Sequence, residues 1–123
     1  VLLARAARER GAYVIALTSM QHSSAVSSRN SLHLRLFETA DLVLDNGGVL
    51  GDASFQAADG TMVGPTSTAV GAAILQSIVC RVKEISLAEG FEADYFKSSN
   101  VDGGDAWNDR LIACYQDSIP GLN

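Results

Sequence analysis

The sequence predicts an α/β protein, a three-layer αβα sandwich built on a parallel sheet. Three observations carry this. Two short apolar runs rich in strand formers, Tyr13 to Leu17 (YVIAL) and Asp41 to Asp45 (DLVLD), are separated by helix-capable sequence. The longest apolar stretch, Val63 to Val82, has the four-residue recurrence of a helix, with Val70, Ile74, Ile78 and Val82 in one row. The strand entries are charged or plain, whereas the exits are all Ser, Thr, Asn, Asp and Gly, as expected when the strands run the same way and one rim carries the site.

The elements follow in order. Val1 to Arg10 sets apolar Leu2, Leu3, Ala6 and Ala7 against Arg5, Arg8, Glu9 and Arg10, an amphipathic helix stopped by Gly11. Tyr13 to Leu17 is a strand expected to be covered on both faces. Thr18 to Arg29 (TSMQHSSAVSSR) is a polar exit loop, followed by a helical pattern through Leu32, Leu36, Phe37 and Ala40 that includes His33. Asp41 to Asp45 is the second strand and Asn46 to Asp52 (NGGVLGD) its turn-rich exit.

Ala53 to Met62 reads as a small hairpin turning at Ala58, Asp59 and Gly60. Gly64 and Pro65 then set a turn, and Thr66, Ser67 and Thr68 fall at the start of the central helix, where N–H groups lack intrahelical partners and an anion is welcome. The stripe, widened by Leu75, Val79 and Ile85, predicts a mostly buried helix to about Ala88, and Gly71, Ala72 and Ala73 allow another backbone close to it. Asp94 to Lys97 is a third strand. The last helix runs from Ala106 to Tyr115, capped by Asp105, with Pro120 and Gly121 closing the chain.

Composition limits the function. At 123 residues one domain is expected, and a net charge of −5 argues against a nucleic-acid backbone or an anionic membrane as the main partner of this segment. Cys80 and Cys114 are read as free buried thiols of a reducing compartment, and no apolar run reaches transmembrane length, so a cytoplasmic protein is expected. VLLARAARERG begins as a helix already under way, which predicts an amino-terminal part ahead of Val1; three strands also leave a sheet edge for that part or a partner to cover.

The polar rim suits a polyhydroxylated, phosphorylated ligand, because sugar hydroxyls need paired donors and acceptors and a phosphate needs N–H groups and hydroxyls. Candidate contacts are Thr18, Ser19 and Ser23 in the first exit, Asn46 and Asp52 in the second, Thr66, Ser67 and Thr68 at the helix start, and Asn100 in the third. Arg29 is a candidate phosphate clamp, and His22 a candidate general base or acid, with an ordinary pKa of about 6.5. Trp107 is read as a packing residue. The Gly47-Gly48-x-x-Gly51 run does not open a helix as a dinucleotide fingerprint does, there is no G-x-S-x-G elbow, and no metal or cofactor is expected.

Four ordered motifs, TSMQHSSAVSSR, ADLVLDNGGVLGD, VGPTSTAVGAAIL and SSNVDGGDAWNDRL, resemble the carboxyl-terminal half of a bacterial group of SIS (sugar isomerase) domain proteins that bind phosphosugars. The resemblance covers Val1 to about Tyr115. It implies a five-stranded parallel sheet in a Rossmann-like helical sandwich, usually dimeric, with phosphosugar held at strand ends and helix starts. Such domains serve as aldose–ketose isomerases, sugar-phosphate etherases or ligand sensors. The implied contacts are Thr18, Ser19, Thr66, Ser67 and Thr68, with Asn46 and Asp52 after them. The family's Ser/Thr-rich phosphate loop belongs to its amino-terminal half, outside these residues, and a histidine is expected in the family where Asn30 stands.

The scarcity of bases near the rim favours a phosphosugar sensor or accessory protein. An isomerase using His22 or a glutamate is the second reading, and a Rossmann-like nucleotide-binding domain the third.

Overall fold

The computed structural model describes residues 1–119, 121 and 122; the expected chain closure at Pro120 lies outside them. The chain divides into two units, Val1–Ile78 and Val79–Asn123, each taken by itself below. Together the elements make a mixed α/β chain with a short parallel sheet and helices.

In the first unit, helix α1 spans Leu2–Glu9 and Gly11 follows at φ +83°, the left-handed conformation that ends a helix without a Cβ clash. Strand β1, Ile15–Thr18, pairs in parallel with β2, Leu42–Asp45, in the register Ile15 to Leu42 and Thr18 to Asp45. The Asp41 carboxylate ties the strand entry to α1 by accepting the Val14 amide at 2.8 Å and facing Arg8 at 2.8 Å. The expectation that β1 is covered on both faces is corrected: Ala16 is buried at 2% exposure, but Ile15 is 55% exposed. A strand alternates its side chains, and on the face opposite Ala16 the first residue, Ile15, is left open while Leu17 packs at Gly71.

Between the strands the expected pattern changes. The polar exit loop is partly helical, since α2 spans Met20–Ala25 with Ser19 as N-cap, its hydroxyl accepting the His22 amide at 3.0 Å. The helix expected through Leu32 to Ala40 is only a 3₁₀ turn, Leu36–Thr39, held by Arg35 and Glu38. His33, expected in that helix, sits in a turn at φ +54°. Asn30 makes this turn: its Oδ1 accepts the Leu32 amide at 3.1 Å and its Nδ2 donates to the Leu34 carbonyl at 2.6 Å. Such local amide bonds compete with helix formation.

The hairpin forms but is longer than expected. β3, Ala53–Gln56, pairs antiparallel with β4, Met62–Pro65, so Gly64 and Pro65 belong to a strand and not to a turn. Helix α3, Ser67–Ala88, follows directly. Leu17 of β1 packs at Gly71, where an added Cβ would lie 3.4 Å from its Cδ2. Ala72 and Ala73 stay exposed.

The mostly buried central helix is corrected. Val70, Leu75, Ile78, Val79, Val82 and Ile85 are all exposed, and only Gly71 and Ser86 of α3 are buried. Its apolar stripe is the one the periodicity shows, but the described residues do not cover it. Cys80 and Cys114 are free thiols as expected, yet exposed.

In the second unit, Asp94 to Lys97 is not a strand. It is held instead by side chains of α4, Gly104–Tyr115. Asn108 accepts the Lys97 amide at 2.9 Å and donates to the Lys97 carbonyl at 2.8 Å, while Trp107 Nε1 donates to the Tyr95 carbonyl at 2.7 Å. Trp107 thus packs as expected, tilted against Tyr95 with ring centroids 5.7 Å apart and with Lys97 and Arg110 over its faces. The cap expected from Asp105 is corrected: Gly103, at φ +76°, is the N-cap and Asp105 lies in the first turn. Gly104 fits because its α-carbon sits against the Ser98 carbonyl, where no side chain has room. Among the described residues no helix is long and apolar enough to cross a membrane.

Candidate functional site

A parallel pair of strands delivers two chain exits to the same edge, and a polar hollow of about 320 Å³ lies there. Leu17 and Val49 form its apolar walls. Thr18, Ser19, His22, Asn46, Asp52 and Ser67 supply its polar groups. The structure therefore gathers residues from both strand exits and from the start of α3, three stretches far apart in sequence.

The exits are laced together. The Ser19 hydroxyl donates to the Gly48 carbonyl, and the Asn46 amide donates to the Thr18 carbonyl at 3.0 Å. Asn46 Oδ1 accepts the Gly48 amide at 2.9 Å, and Asn46 itself lines the hollow. Gly48 is buried, and a Cβ there would stand 3.0 Å from Asn46 Oδ1 and 3.3 Å from Ser19 Cβ. Asp45 Oδ1 accepts the amides of Met20 and Gly47, each at 3.0 Å, and the first of these bonds does most to hold its carboxyl below the usual range.

Asp52 closes the other side. It stands at φ +68°, a left-handed conformation that aspartate tolerates better than most residues, and its carboxylate faces the start of α3. Oδ1 accepts the amides of Thr66 at 3.0 Å and Ser67 at 2.8 Å and the Thr66 hydroxyl at 3.1 Å; Oδ2 accepts the Ser67 hydroxyl at 2.6 Å. The Ser67 hydroxyl foremost, then the amides, lower its pKa. The anion position at this helix start is thus taken by the chain's own carboxylate.

His22 sits where the hollow meets a second one. Its Nδ1 accepts the Gly51 amide at 3.1 Å, which fixes the orientation of the ring. The second hollow, also about 320 Å³, is lined by His22, Val26, Ser27 and Arg29.

Of the sequence-expected residues, Thr18, Ser19, His22, Asn46, Asp52 and Ser67 line the first hollow and Arg29 the second. Ser23 is engaged with the Thr18 hydroxyl at 2.8 Å, and Thr66 with Asp52. Thr68 is exposed on the first turn of α3 and lines neither hollow. Asn100 lies in the other unit, its amide donating to Ser98 Oγ at 3.2 Å. Sequence reasoning missed Asp45 and Gly48. Asp45 had a signal, an acid at a strand end followed by Asn-Gly-Gly; the need for glycine at position 48 depends on Ser19, 29 residues away, and left none.

Fold and hollow together define a mixed α/β chain whose polar cleft lies at the carboxyl ends of parallel strands. It is similar to UPF0309 proteins. One from Halalkalibacterium halodurans is 44% identical over 116 residues, 94% of this chain and 48% of the relative. Others from Listeria monocytogenes (43% over 124 residues, 98% and 50%) and Oceanobacillus iheyensis (44% over 118 residues, 95% and 48%) are similar to the same extent. The chain spans about half the length of the curated relatives it matches. No family model matches it.

Proposed function

We propose that this chain forms part of a phosphosugar-binding domain of the SIS type, acting as a sensor or accessory protein of sugar-phosphate metabolism. The observation that carries the reading is the convergence of Thr18, Ser19, Asn46, Asp52 and Ser67, with His22 at the edge, on one hollow at the strand ends. Hydroxyl, amide and carboxylate groups on a partly apolar floor match the needs of a carbohydrate, whose hydroxyls each want a donor and an acceptor and whose C–H faces want apolar contact. In this proposal the parallel pair belongs to a larger three-layer αβα sandwich in the cytoplasm. The rest of that sandwich and a second copy cover the exposed stripe of α3.

The test is thermal unfolding of the purified protein with hexose phosphates, sugar acids, NAD and ATP. Ligand that binds only the folded state at a hundredfold excess over Kd stabilises by about 2.7 kcal/mol, so phosphosugars are expected to raise Tm and the others not. Stabilisation by NAD or ATP alone overturns the reading in favour of a nucleotide-binding domain.

One observation favours the isomerase reading: the imidazole of His22 borders the hollow and is oriented by the Gly51 amide. Solvent deuterium should then enter the sugar carbon next to the carbonyl, and His22→Ala should abolish the exchange. No exchange in the unaltered protein leaves binding alone.

A further inference from the structure

The chain has one Asn-Gly step, Asn46-Gly47, and its asparagine lines the first hollow. Such a step is where a polypeptide can modify itself. The Gly47 nitrogen, which no Cβ shields, loses its proton to solvent base and attacks Asn46 Cγ; the new N–Cγ bond displaces Nδ2 as ammonia and leaves a succinimide ring. Water then opens the ring to aspartate or isoaspartate, so that one water enters and one ammonia leaves. Solvent reaches the step here, Gly47 being exposed and Asn46 half-buried. Both reacting groups are nevertheless engaged. The Gly47 amide donates to Asp45 Oδ1 at 3.0 Å, and Asn46 Oδ1 accepts the Gly48 amide at 2.9 Å. The loop is also fixed to the other strand exit, since the Asn46 amide donates to the Thr18 carbonyl at 3.0 Å and the Ser19 hydroxyl to the Gly48 carbonyl.

We infer that this loop guards Asn46 against deamidation: Asp45 keeps the Gly47 nitrogen protonated and unreactive while the Gly48 amide holds the Asn46 side chain, so the neutral amide persists in the hollow. A carboxylate oxygen 3.0 Å from the nitrogen opposes the amide anion twice, by accepting the proton that must leave and by repelling the negative charge that replaces it. Ring closure therefore requires the loop to open and give up the bonds of Gly47 and Gly48. Asp45 acts on Asn46 through Gly47, and so is a positioning residue. What it protects is the charge and length of the strand exit. Deamidation puts a carboxylate at position 46, in a hollow that Asp52 already lines, and isoaspartate adds a methylene to the backbone between Asp45 and Gly47. The inference stands whatever the hollow binds.

The test incubates the protein in mildly alkaline buffer and follows aspartate and isoaspartate at position 46 by peptide mass spectrometry. The unaltered folded protein is compared with the same chain unfolded in guanidinium chloride, and with Asp45→Ala and Asp45→Asn, whose folding is checked by circular dichroism. Because the reaction proceeds from the opened loop, the folded protein is expected to deamidate at Asn46 about tenfold or more slowly than the unfolded chain. Asp45→Ala should deamidate faster than the unaltered protein, and Asp45→Asn, which keeps an acceptor for Gly47 but not the charge, should fall between them. Asp45 also accepts the Met20 amide, so if Asp45→Ala does not fold, the rate in Asp45→Asn decides. Equal rates in the folded and unfolded chains overturn the inference. A folded Asp45 variant as slow as the unaltered protein overturns it as well, since the protection then does not come from the carboxylate.

Discussion

The carboxylate of Asp52 receives both the hydroxyl and the amide of Ser67, at 2.6 and 2.8 Å, and so joins the second strand exit to the start of α3 across fourteen intervening residues. An N-cap normally sits next to its helix; here it arrives from another loop, so one group both starts the helix and shapes the hollow. Asp52→Ala is expected to lower Tm by about 4–8 °C, because it removes the cap and leaves a Cβ-bearing residue in a left-handed conformation without its hydrogen bonds. Asp52→Asn, which keeps an acceptor for both amides, should lose less. Circular dichroism melts of the two variants check the order.

Acid should destabilise the protein through the same groups. Asp52 and Asp45 are held below their ordinary value of 3.8 by hydrogen bonds from Ser67 and Met20, and Glu38 is lowered from 4.5 to about 2 by Arg35. Each native carboxylate is more acidic than its unfolded counterpart. The stability they add is therefore complete above the ordinary carboxylate range and is lost as pH falls below about 4.5 toward 2. Urea midpoints measured down this range should decline, and more shallowly in Asp52→Asn, which has one fewer group to protonate. A pH-independent midpoint would count against the bonds described.

Gly48→Ala should damage both fold and site. The new methyl falls within 3.0 Å of Asn46 Oδ1, which is bound to the Gly48 amide, and 3.3 Å from Ser19 Cβ. Relief requires one of the two exits to shift. A loss of about 1–3 kcal/mol in chemical unfolding is expected and, on the proposed function, weaker phosphosugar binding. Gly47→Ala makes a useful contrast, since its Cβ meets nothing and only the left-handed backbone at φ +65° opposes it.

In the second unit, Asn108→Ala should release the segment around Lys97. One amide side chain satisfies both backbone groups of Lys97, as a neighbouring strand would. Its removal is expected to cost about 1–3 kcal/mol and to speed hydrogen exchange at the Lys97 amide, with little change in the first unit.

What the sequence by itself determined is local. Apolar runs placed β1 and β2 within two residues of their observed bounds, Gly11 ended α1, the Asp59-Gly60 turn gave the hairpin, and four-residue recurrence gave α3. Composition at the strand exits also pointed to the rim now occupied by Thr18, Ser19, Asn46, Asp52 and Ser67. For each element the signal and the structure it specifies lie within one segment, where backbone conformation and side-chain period decide the outcome.

Only the tertiary structure decided the rest. Asn30 folds a helix-like pattern into a turn through its own amide, and Asp94 to Lys97 is held by Trp107 and Asn108 and not by a paired strand. Above all, the amides that made the start of α3 look ready for a foreign anion are taken by Asp52. Periodicity reports which residues lie on one face, but an amide N–H donates to whichever acceptor the fold brings within about 3 Å, and that acceptor came from another loop.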